Sequence, residues 1–184
     1  GGEGTRIKKF TKKIPKCLIK FNGKPFLYYQ LKYLKKNKIK NVIISSCYLS
    51  NKINNYVKNN INFIKVKIIN DGKPLGTGGA IVNSLKYLNN NFFVVYGDSF
   101  LNFNFNMLKN KSNIATMAIF RNNNKYDRSN IALIKSNKIL YFKKKTKKKL
   151  NYIDYGASYL SKKIFKNEKR GTKFDLSEFF ERIS

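Results

Sequence analysis

Apolar positions in the first part of the chain alternate between helical spacing and the short runs typical of buried strands. After Pro25, an apolar stripe at helical spacing predicts an amphipathic helix that ends in the polar residues 36–38. Buried strands are predicted at 42–44, 63–69 and 92–96, and helices at 50–58 and 78–88, with Ser50 and Thr77 as their caps. Short units of strand and helix in this order favour an α/β fold with a doubly wound, Rossmann-like, mostly parallel sheet.

Beyond residue 113 the pattern changes to strands. These are predicted at 114–120, 131–135, 139–142 and 152–160, the middle two as a hairpin. A final helix is predicted over 175–183, because its apolar residues fall on one side. We therefore predict a single domain over 1–184, in which a β-rich half (113–184) covers an α/β half (1–112).

Composition supports a folded chain and excludes several classes of protein. The 184 residues suffice for one compact domain, and a content of 42% hydrophobic and 15% aromatic residues excludes a disordered chain. No apolar run approaches the roughly 18 residues of a membrane-spanning helix, so we expect no membrane association. Two cysteines, Cys17 and Cys47, and the absence of His exclude a disulfide scaffold, the usual zinc sites and a histidine base, and favour a reducing cytoplasm.

Charge is the outlying property of the chain. With 39 Lys+Arg against 9 Asp+Glu, the net charge is +30, which attracts partners that carry phosphate. One hypothesis is therefore a basic nucleic-acid-binding module. However, nearly all of the charge is Lys, whereas base recognition favours Arg, and a uniform excess of Lys, Asn and Ile is typical of an AT-rich genome. We therefore expect a phosphate ligand but no specific nucleic acid.

The opening residues form a glycine-rich loop that is followed by two cations. Glycine lets backbone N–H groups approach phosphate oxygens that a Cβ would repel, although such a stretch alone is more typical of a flexible chain end. A bidentate guanidinium at Arg6 and an ammonium at Lys16 would pair well on one phosphate chain. The loop comprises Gly1, Gly2, Glu3, Gly4 and Thr5.

The ordered motifs together resemble a known family. They are Gly-Gly-Glu-Gly-Thr-Arg at 1–6, Pro-Lys at 15–16, Gly-Lys-Pro at 23–25, Leu-Gly-Thr-Gly-Gly-Ala at 75–80, Gly-Asp at 97–98, Tyr-Ile-Asp-Tyr-Gly at 152–156 and Phe-Asp-Leu at 174–176. This order resembles the sugar-1-phosphate nucleotidyltransferases, and the last two segments resemble the branch that makes GDP-activated heptose. The resemblance implies a nucleotide-diphospho-sugar transferase fold, with 1–112 as the nucleotide-binding half and 113–184 as the sugar-binding half.

The same resemblance implies a reaction and a role for each motif. A nucleoside monophosphate would pass from a nucleoside triphosphate to the 1-phosphate of a manno-configured heptose or hexose, and pyrophosphate would leave. The resemblance to the GDP-heptose branch implies that the nucleoside triphosphate is GTP. Because the nucleophile is already an anion, no general base is needed and the absence of His is no obstacle. The resemblance makes Arg6 and Lys16 catalytic, gives Mg²⁺ to Asp98, and assigns the nucleotide to Gly1, Gly2, Glu3, Gly4, Thr5, Leu75, Gly76, Thr77 and Gly79 and the sugar to Asp154, Tyr155 and Gly156.

Each motif also has a purely structural interpretation. Residues 75–80 could be an ordinary glycine-containing helix start, and Asp98 a turn residue at the end of a strand. Asp154 is as consistent with a solvated strand carboxylate as with a sugar ligand. The lysine run at 143–149 fits an exposed hairpin end better than a site for the sugar phosphate.

Three departures from the family pattern affect the expectation. The chain opens on the glycine loop where the family has a preceding strand, and it stops at Ser184 before an acidic segment that would supply a second metal ligand. Lys144 stands where the family often has Glu. We therefore expect a fragment that is incomplete at both ends. A non-catalytic regulatory domain of the same fold stays open as an alternative, as do the choice of nucleotide and sugar and the oligomeric state.

Overall fold

A computed structural model describes residues 14–110, 113–134, 138–143 and 150–184 of the chain. The predicted phosphate loop, from Gly1 to Arg6, lies outside the described residues, as does Lys144 in the lysine run. The remaining predicted site residues, from Lys16 to Gly156, lie within them.

The first part of the fold is a helix and a parallel strand pair. A short 3-10 turn at Lys16–Leu18 leads into the antiparallel strands β1 (Lys20–Phe21) and β2 (Lys24–Pro25), and then into α1 (Phe26–Lys36). Next come β3 (Asn41–Ser46), α2 (Ser50–Asn60) and β4 (Lys65–Asn70). Strands β3 and β4 pair in parallel over their whole length, which confirms the predicted strand–helix–strand unit. Helices α1 and α2 contribute to a core against this strand pair, whose buried members are Leu27, Leu31, Ile53, Val57 and Ile64.

Two predicted helix caps are wrong. Leu49, in the left-handed region with a φ of 53°, occupies the N-cap position of α2, while the Ser50 hydroxyl instead bonds the Ser46 hydroxyl at 2.8 Å. The next helix, α3 (Gly76–Ser84), begins before Thr77 and is followed by a 3-10 turn at Leu85–Tyr87. The Thr77 hydroxyl accepts a hydrogen bond from the Leu176 backbone N–H at 2.8 Å, so it joins two segments rather than capping its own helix.

The second part of the chain forms one sheet with the last strand of the first part instead of covering that part, and this sheet is separate from the β3–β4 pair. Strand β5 (Asn91–Val95) is followed by β6 (Ala115–Arg121), β7 (Ile131–Leu133), β8 (Ile139–Phe142) and β9 (Tyr152–Ser161). The long strand β9 pairs antiparallel with β5, β6 and β7, and β7 and β8 form the predicted hairpin. The predicted covering arrangement is therefore wrong, because β9 and β5 belong to one sheet.

Helix α4 (Leu176–Ile183) closes the chain and packs against α3. Its start has a capping box, in which Asp175 and Glu178 each bond the backbone of the other. Its apolar side meets the sheet in the largest core, whose buried members are Val82, Phe92, Ile131, Phe142, Leu160, Phe165, Leu176, Phe179 and Phe180. The fold is thus mixed α/β, with a parallel strand pair and a β-rich portion, as predicted. The strands are not mostly parallel, however, because in the described residues every pairing other than β3–β4 is antiparallel. Across the described ranges, none of the helices has the length and apolar character needed to cross a bilayer.

Candidate active site

A lysine and an aspartate that are distant in sequence meet beyond the carboxyl end of β5. Lys16 lies in the 3-10 turn Lys16–Leu18, and Asp98 follows β5 within a four-residue turn at 96–99. The Lys16 Nζ is 2.9 Å from the Asp98 Oδ2, and the two side chains are 47% and 53% exposed. A pair this exposed adds little to stability, and it places a cation and a hard oxygen donor side by side at the surface.

The turn that carries Asp98 is bonded to a helix. Within the turn, the Ser99 N–H donates to the Tyr96 carbonyl at 3.2 Å. From α1, the Gln30 Nε2 donates to the Ser99 carbonyl at 2.8 Å and to the Tyr96 carbonyl at 3.2 Å. The backbone on both sides of Asp98 is therefore tied to a side chain of α1.

Asp154 is a partly buried residue of β9. Its Oδ2 accepts a hydrogen bond from the Tyr96 hydroxyl at 3.0 Å, and its Oδ1 accepts one from the Gly156 N–H at 2.7 Å. Burial raises the pKa of Asp154 above its ordinary value, and burial with the adjacent Asp154 carboxylate raises the pKa of the Tyr96 phenol. The interpretation of Asp154 as a solvated carboxylate is therefore wrong. Its assignment to the sugar stays a prediction.

Gly156 brings β9 close to the same turn. Its φ of 92° lies in the region that favours glycine, and a Cβ there would be 3.3 Å from both the Ser99 Oγ and the Tyr96 Cδ2. The Gly156 carbonyl also accepts a hydrogen bond from the Tyr96 N–H at 3.1 Å. Next to it, the Tyr155 ring packs against the Phe103 and Phe120 rings, each with a centroid distance of 6.0 Å. The predicted sugar segment 154–156 and the predicted metal turn 96–99 are thus neighbours.

The loop predicted to bind the base is backed by the segment just before α4. The Phe174 N–H donates to the Leu75 carbonyl at 3.0 Å, and the Phe174 carbonyl accepts from the N–H groups of Gly78 at 3.0 Å and Gly79 at 3.2 Å. A Cβ on Gly76 or Gly78 would clash with Phe174, and one on Gly79 with the Thr172 carbonyl. The protein's own chain therefore fills the space left by these glycines. A base contact through Leu75, Gly76, Thr77 or Gly79 stays a prediction for the opposite side of the loop.

A chain of polar side chains joins α3 and the residue after β4 to the segment before α4. The Asn83 Nδ2 donates to the Asp71 Oδ1 at 2.7 Å, and the Arg170 Nε donates to the Asn83 Oδ1 at 2.9 Å. Burial raises the pKa of Asp71. Neither these residues nor the contacts of Gln30 and Tyr96 could be predicted from the sequence. No spacing indicates such contacts, since Arg170 and Asn83 are 87 positions apart.

The donor set at Asp98 fits a magnesium ion that is shared with phosphates. In the part of the chain that the structure describes, no three His, Cys, Asp or Glu side chains converge into a cluster that could hold a metal. Mg²⁺ does not need such a cage, because it retains several waters and is commonly held by one or two carboxylates plus substrate phosphates. A half-exposed carboxylate next to a lysine is consistent with that arrangement.

The fold, with a lysine–aspartate pair just beyond the end of β5, points to a class of proteins that the comparison of sequences confirms. The chain belongs to the Nucleotidyl transferase family, whose profile matches residues 1–178. The resemblance and the enzyme class inferred from the motifs are therefore confirmed.

The chain is also similar to individual members of this family. The chain is 36% identical over 182 residues to D-glycero-alpha-D-manno-heptose 1-phosphate guanylyltransferase from Campylobacter jejuni, covering 98% of this chain and 82% of the relative. It is 27% identical to the enzyme of that name from Aneurinibacillus thermoaerophilus over 98% of this chain and 80% of the relative. The crystal structure of HddC from Yersinia pseudotuberculosis complexed with GMP-PN matches with a TM-score of 0.79 and 28% identity, over 96% of this chain and 80% of that one.

Proposed function

We propose that this nucleotidyltransferase transfers the guanylyl group of GTP to the 1-phosphate of a manno-configured sugar, with a heptose as the first candidate and a hexose as the second. The observation that carries the proposal is the Lys16–Asp98 pair, which presents a cation and a metal-binding oxygen together at the end of β5. Support for the guanylyl group and the heptose comes from the 36% identical relative, which is named for both. The product would be an NDP-sugar for polysaccharide synthesis in the cytoplasm.

The reaction needs charge stabilisation rather than proton transfer. A sugar phosphate oxygen forms a bond to the α-phosphorus of GTP, the bond from that phosphorus to the bridging oxygen breaks, and pyrophosphate leaves with the electron pair. Lys16 would lie near the α-phosphate, where its ammonium stabilises the charge on the equatorial oxygens. Arg6 would hold the departing β- and γ-phosphates, with the backbone of Gly1, Gly2, Glu3, Gly4 and Thr5 around them.

Asp98 would hold Mg²⁺ on the phosphates. When bound, that ion would neutralise phosphate charge and help to orient the triphosphate. The Asp98 carboxylate is paired with Lys16, so the metal would share the carboxylate with this lysine, and the triphosphate would share the lysine with the carboxylate.

The nucleotide and the sugar phosphate would bind to different parts of the chain. We assign the nucleotide to 1–112, with the base against Leu75, Gly76, Thr77 and Gly79, and the sugar to 113–184, next to Tyr155 and Gly156. The close approach of Gly156 to the turn 96–99 supports this division, because it brings the sugar segment next to the metal turn. Asp154 would then act mainly by shaping the sugar segment, since both of its oxygens accept hydrogen bonds within the protein.

A substrate panel tests the proposal. The purified protein with Mg²⁺ is supplied with each common nucleoside triphosphate, in combination with heptose, mannose or glucose 1-phosphate, and pyrophosphate release is measured. We expect release only when both substrates are present, and the highest kcat/KM with GTP and a manno-configured sugar phosphate. Faster turnover with a different nucleotide, or with glucose 1-phosphate, would overturn the proposed specificity.

A further inference from the structure

A single side chain holds both ends of the turn that presents Asp98. The Gln30 Nε2 is 2.8 Å from the Ser99 carbonyl oxygen and 3.2 Å from the Tyr96 carbonyl oxygen. Because both partners are acceptors, the amide must present its NH₂ group, and each of its two protons can serve one carbonyl. Gln30 therefore bridges the two residues that flank Gly97 and Asp98.

The tip of this turn has little other support. A Cβ on Gly97 would meet nothing within 4 Å, and the Asp98 side chain is 53% exposed. The turn's own backbone contributes the bond from the Ser99 N–H to the Tyr96 carbonyl. The geometry of the Asp98 backbone thus depends on restraints at the turn's two ends, and Gln30 acts on both.

We propose that Gln30 is a positioning residue, which holds the turn 96–99 so that the Asp98 carboxylate is preorganised for a divalent cation. The inference rests on the proposed metal role of Asp98. Side chains that orient a metal ligand without touching the metal affect its affinity strongly, because a ligand that must first be ordered binds less tightly.

Preorganisation matters more at this site because a competitor is already in place. The Lys16 Nζ lies 2.9 Å from the Asp98 Oδ2, so a cation that binds this carboxylate must displace or share it. Without the Gln30 donors, the Ser99 carbonyl would lose this side-chain partner and the Tyr96 carbonyl would keep the bond from the Ser99 N–H, so the turn would be freer to follow Lys16. Loss of Gln30 would therefore reduce metal binding while leaving α1 and the sheet in place.

The test measures metal binding directly. Mn²⁺ is titrated into the full chain with a non-hydrolysable GTP analogue present, and free Mn²⁺ is followed by electron paramagnetic resonance. We expect Gln30→Met, which keeps the side-chain length but removes both donors, to weaken Mn²⁺ binding by about tenfold, the low end of the range for outer-shell groups. It should lower kcat at a fixed Mg²⁺ concentration and leave the KM for the sugar phosphate unchanged. The matched control is Lys36→Met, at an exposed position of the same helix, which should bind Mn²⁺ like the wild type.

The outcomes separate this inference from the proposed function. If Asp98→Asn weakens Mn²⁺ binding and a folded Gln30→Met does not, the positioning role is wrong and the metal role stands. If Asp98→Asn has no effect either, the metal role itself fails. Gln30→Glu, which keeps the shape and replaces the donors by a carboxylate, should behave like Gln30→Met.

In the wild-type protein, the Gln30 side-chain amide resonances should shift as Mg²⁺ and the analogue bind, and resonances that do not respond would contradict the inference without any variant.

Discussion

At the scale of single residues, the site owes much of its shape to a partly buried carboxylate. Asp154 joins the Tyr96 hydroxyl to the Gly156 N–H, and through them it connects β9 to the turn that carries Asp98. Burial raises the pKa of this carboxyl, so ionising it costs the folded protein more than the unfolded chain. Asp154 therefore shapes the site at some cost in stability near neutral pH.

The substitution Asp154→Asn tests this cost through its pH dependence. Because the folded-state pKa is raised, the stabilising contribution of the protonated carboxyl is complete below the unfolded-state pKa of about 4 and is lost as the pH rises through the folded-state pKa. Asn does not titrate, and its amide can still accept from Gly156 and donate to the Tyr96 hydroxyl. We therefore expect the free energy of unfolding of Asp154→Asn, relative to the wild type, to increase between pH 4 and pH 8.

Urea unfolding of the two proteins across this pH range is the measurement. Other titrating groups are common to both proteins and cancel in the difference. A difference that stays constant with pH, or that favours the wild type as the pH rises, would show that Asp154 is not destabilised when ionised.

At the scale of elements, the segment 172–176 supports residues 75–79, which form the start of α3 and are called the base loop here. Phe174 bonds the loop backbone on both sides, and the Leu176 N–H donates to the Thr77 hydroxyl at 2.8 Å. The start of α4 and the start of α3 therefore form one unit. A nucleotide base that binds this loop would depend on a segment almost a hundred residues later in the chain.

Thr77→Val tests the link between these two elements. It keeps the shape of the side chain and leaves the Leu176 N–H without its partner, which should cost about 1–2 kcal/mol in the free energy of unfolding. If the loop binds the nucleotide, the KM for GTP should rise several-fold while the KM for the sugar phosphate stays unchanged. Thr172→Val, the same replacement at an exposed position, is the control. Equal effects of the two variants on the KM for GTP would contradict the link.

The elements also show which parts of the fold the sequence could predict. Periodic apolar positions placed the strands and helices within a few residues, because each pattern reflects local burial. Caps were less predictable: Ser50 has the right chemistry, but its hydroxyl bonds Ser46, and the left-handed Leu49 takes its position. The antiparallel pairing of β9 with β5 could not be predicted either, because strand order depends on contacts between residues far apart in the chain.

Some residues of the candidate site could likewise be predicted from the sequence, and others could not. Lys16, Asp98 and Gly156 were predicted from motifs, and the structure brings Lys16 to Asp98 and Gly156 to the turn at 96–99. Gln30 carried no signal, because its partners are backbone carbonyls that any sequence would supply. The roles of Gly76, Gly78 and Gly79 in packing were also hidden, since a glycine that accommodates a ligand and one that accommodates Phe174 look alike in sequence.

At the scale of the whole molecule, the charge of +30 does not define the partner. It attracts any polyanion, and such attraction is screened by salt. Membership of the Nucleotidyl transferase family gives the positive potential a more specific use, since both proposed substrates carry phosphate. The nucleic-acid and regulatory alternatives differ from the enzyme in one respect that can be measured, which is turnover.

The most direct test of the account is the rate of pyrophosphate release from GTP and a heptose 1-phosphate, at saturating Mg²⁺, for the wild type and Asp98→Asn. Removing a metal ligand forfeits several kcal/mol of charge stabilisation, so we expect kcat/KM to fall by at least about a hundredfold. The control is Asp127→Asn, the same replacement at an exposed aspartate after β6, which should leave the rate unchanged. Wild-type turnover by a folded Asp98→Asn protein would contradict the claim that Lys16 and Asp98 meet around a triphosphate and its metal.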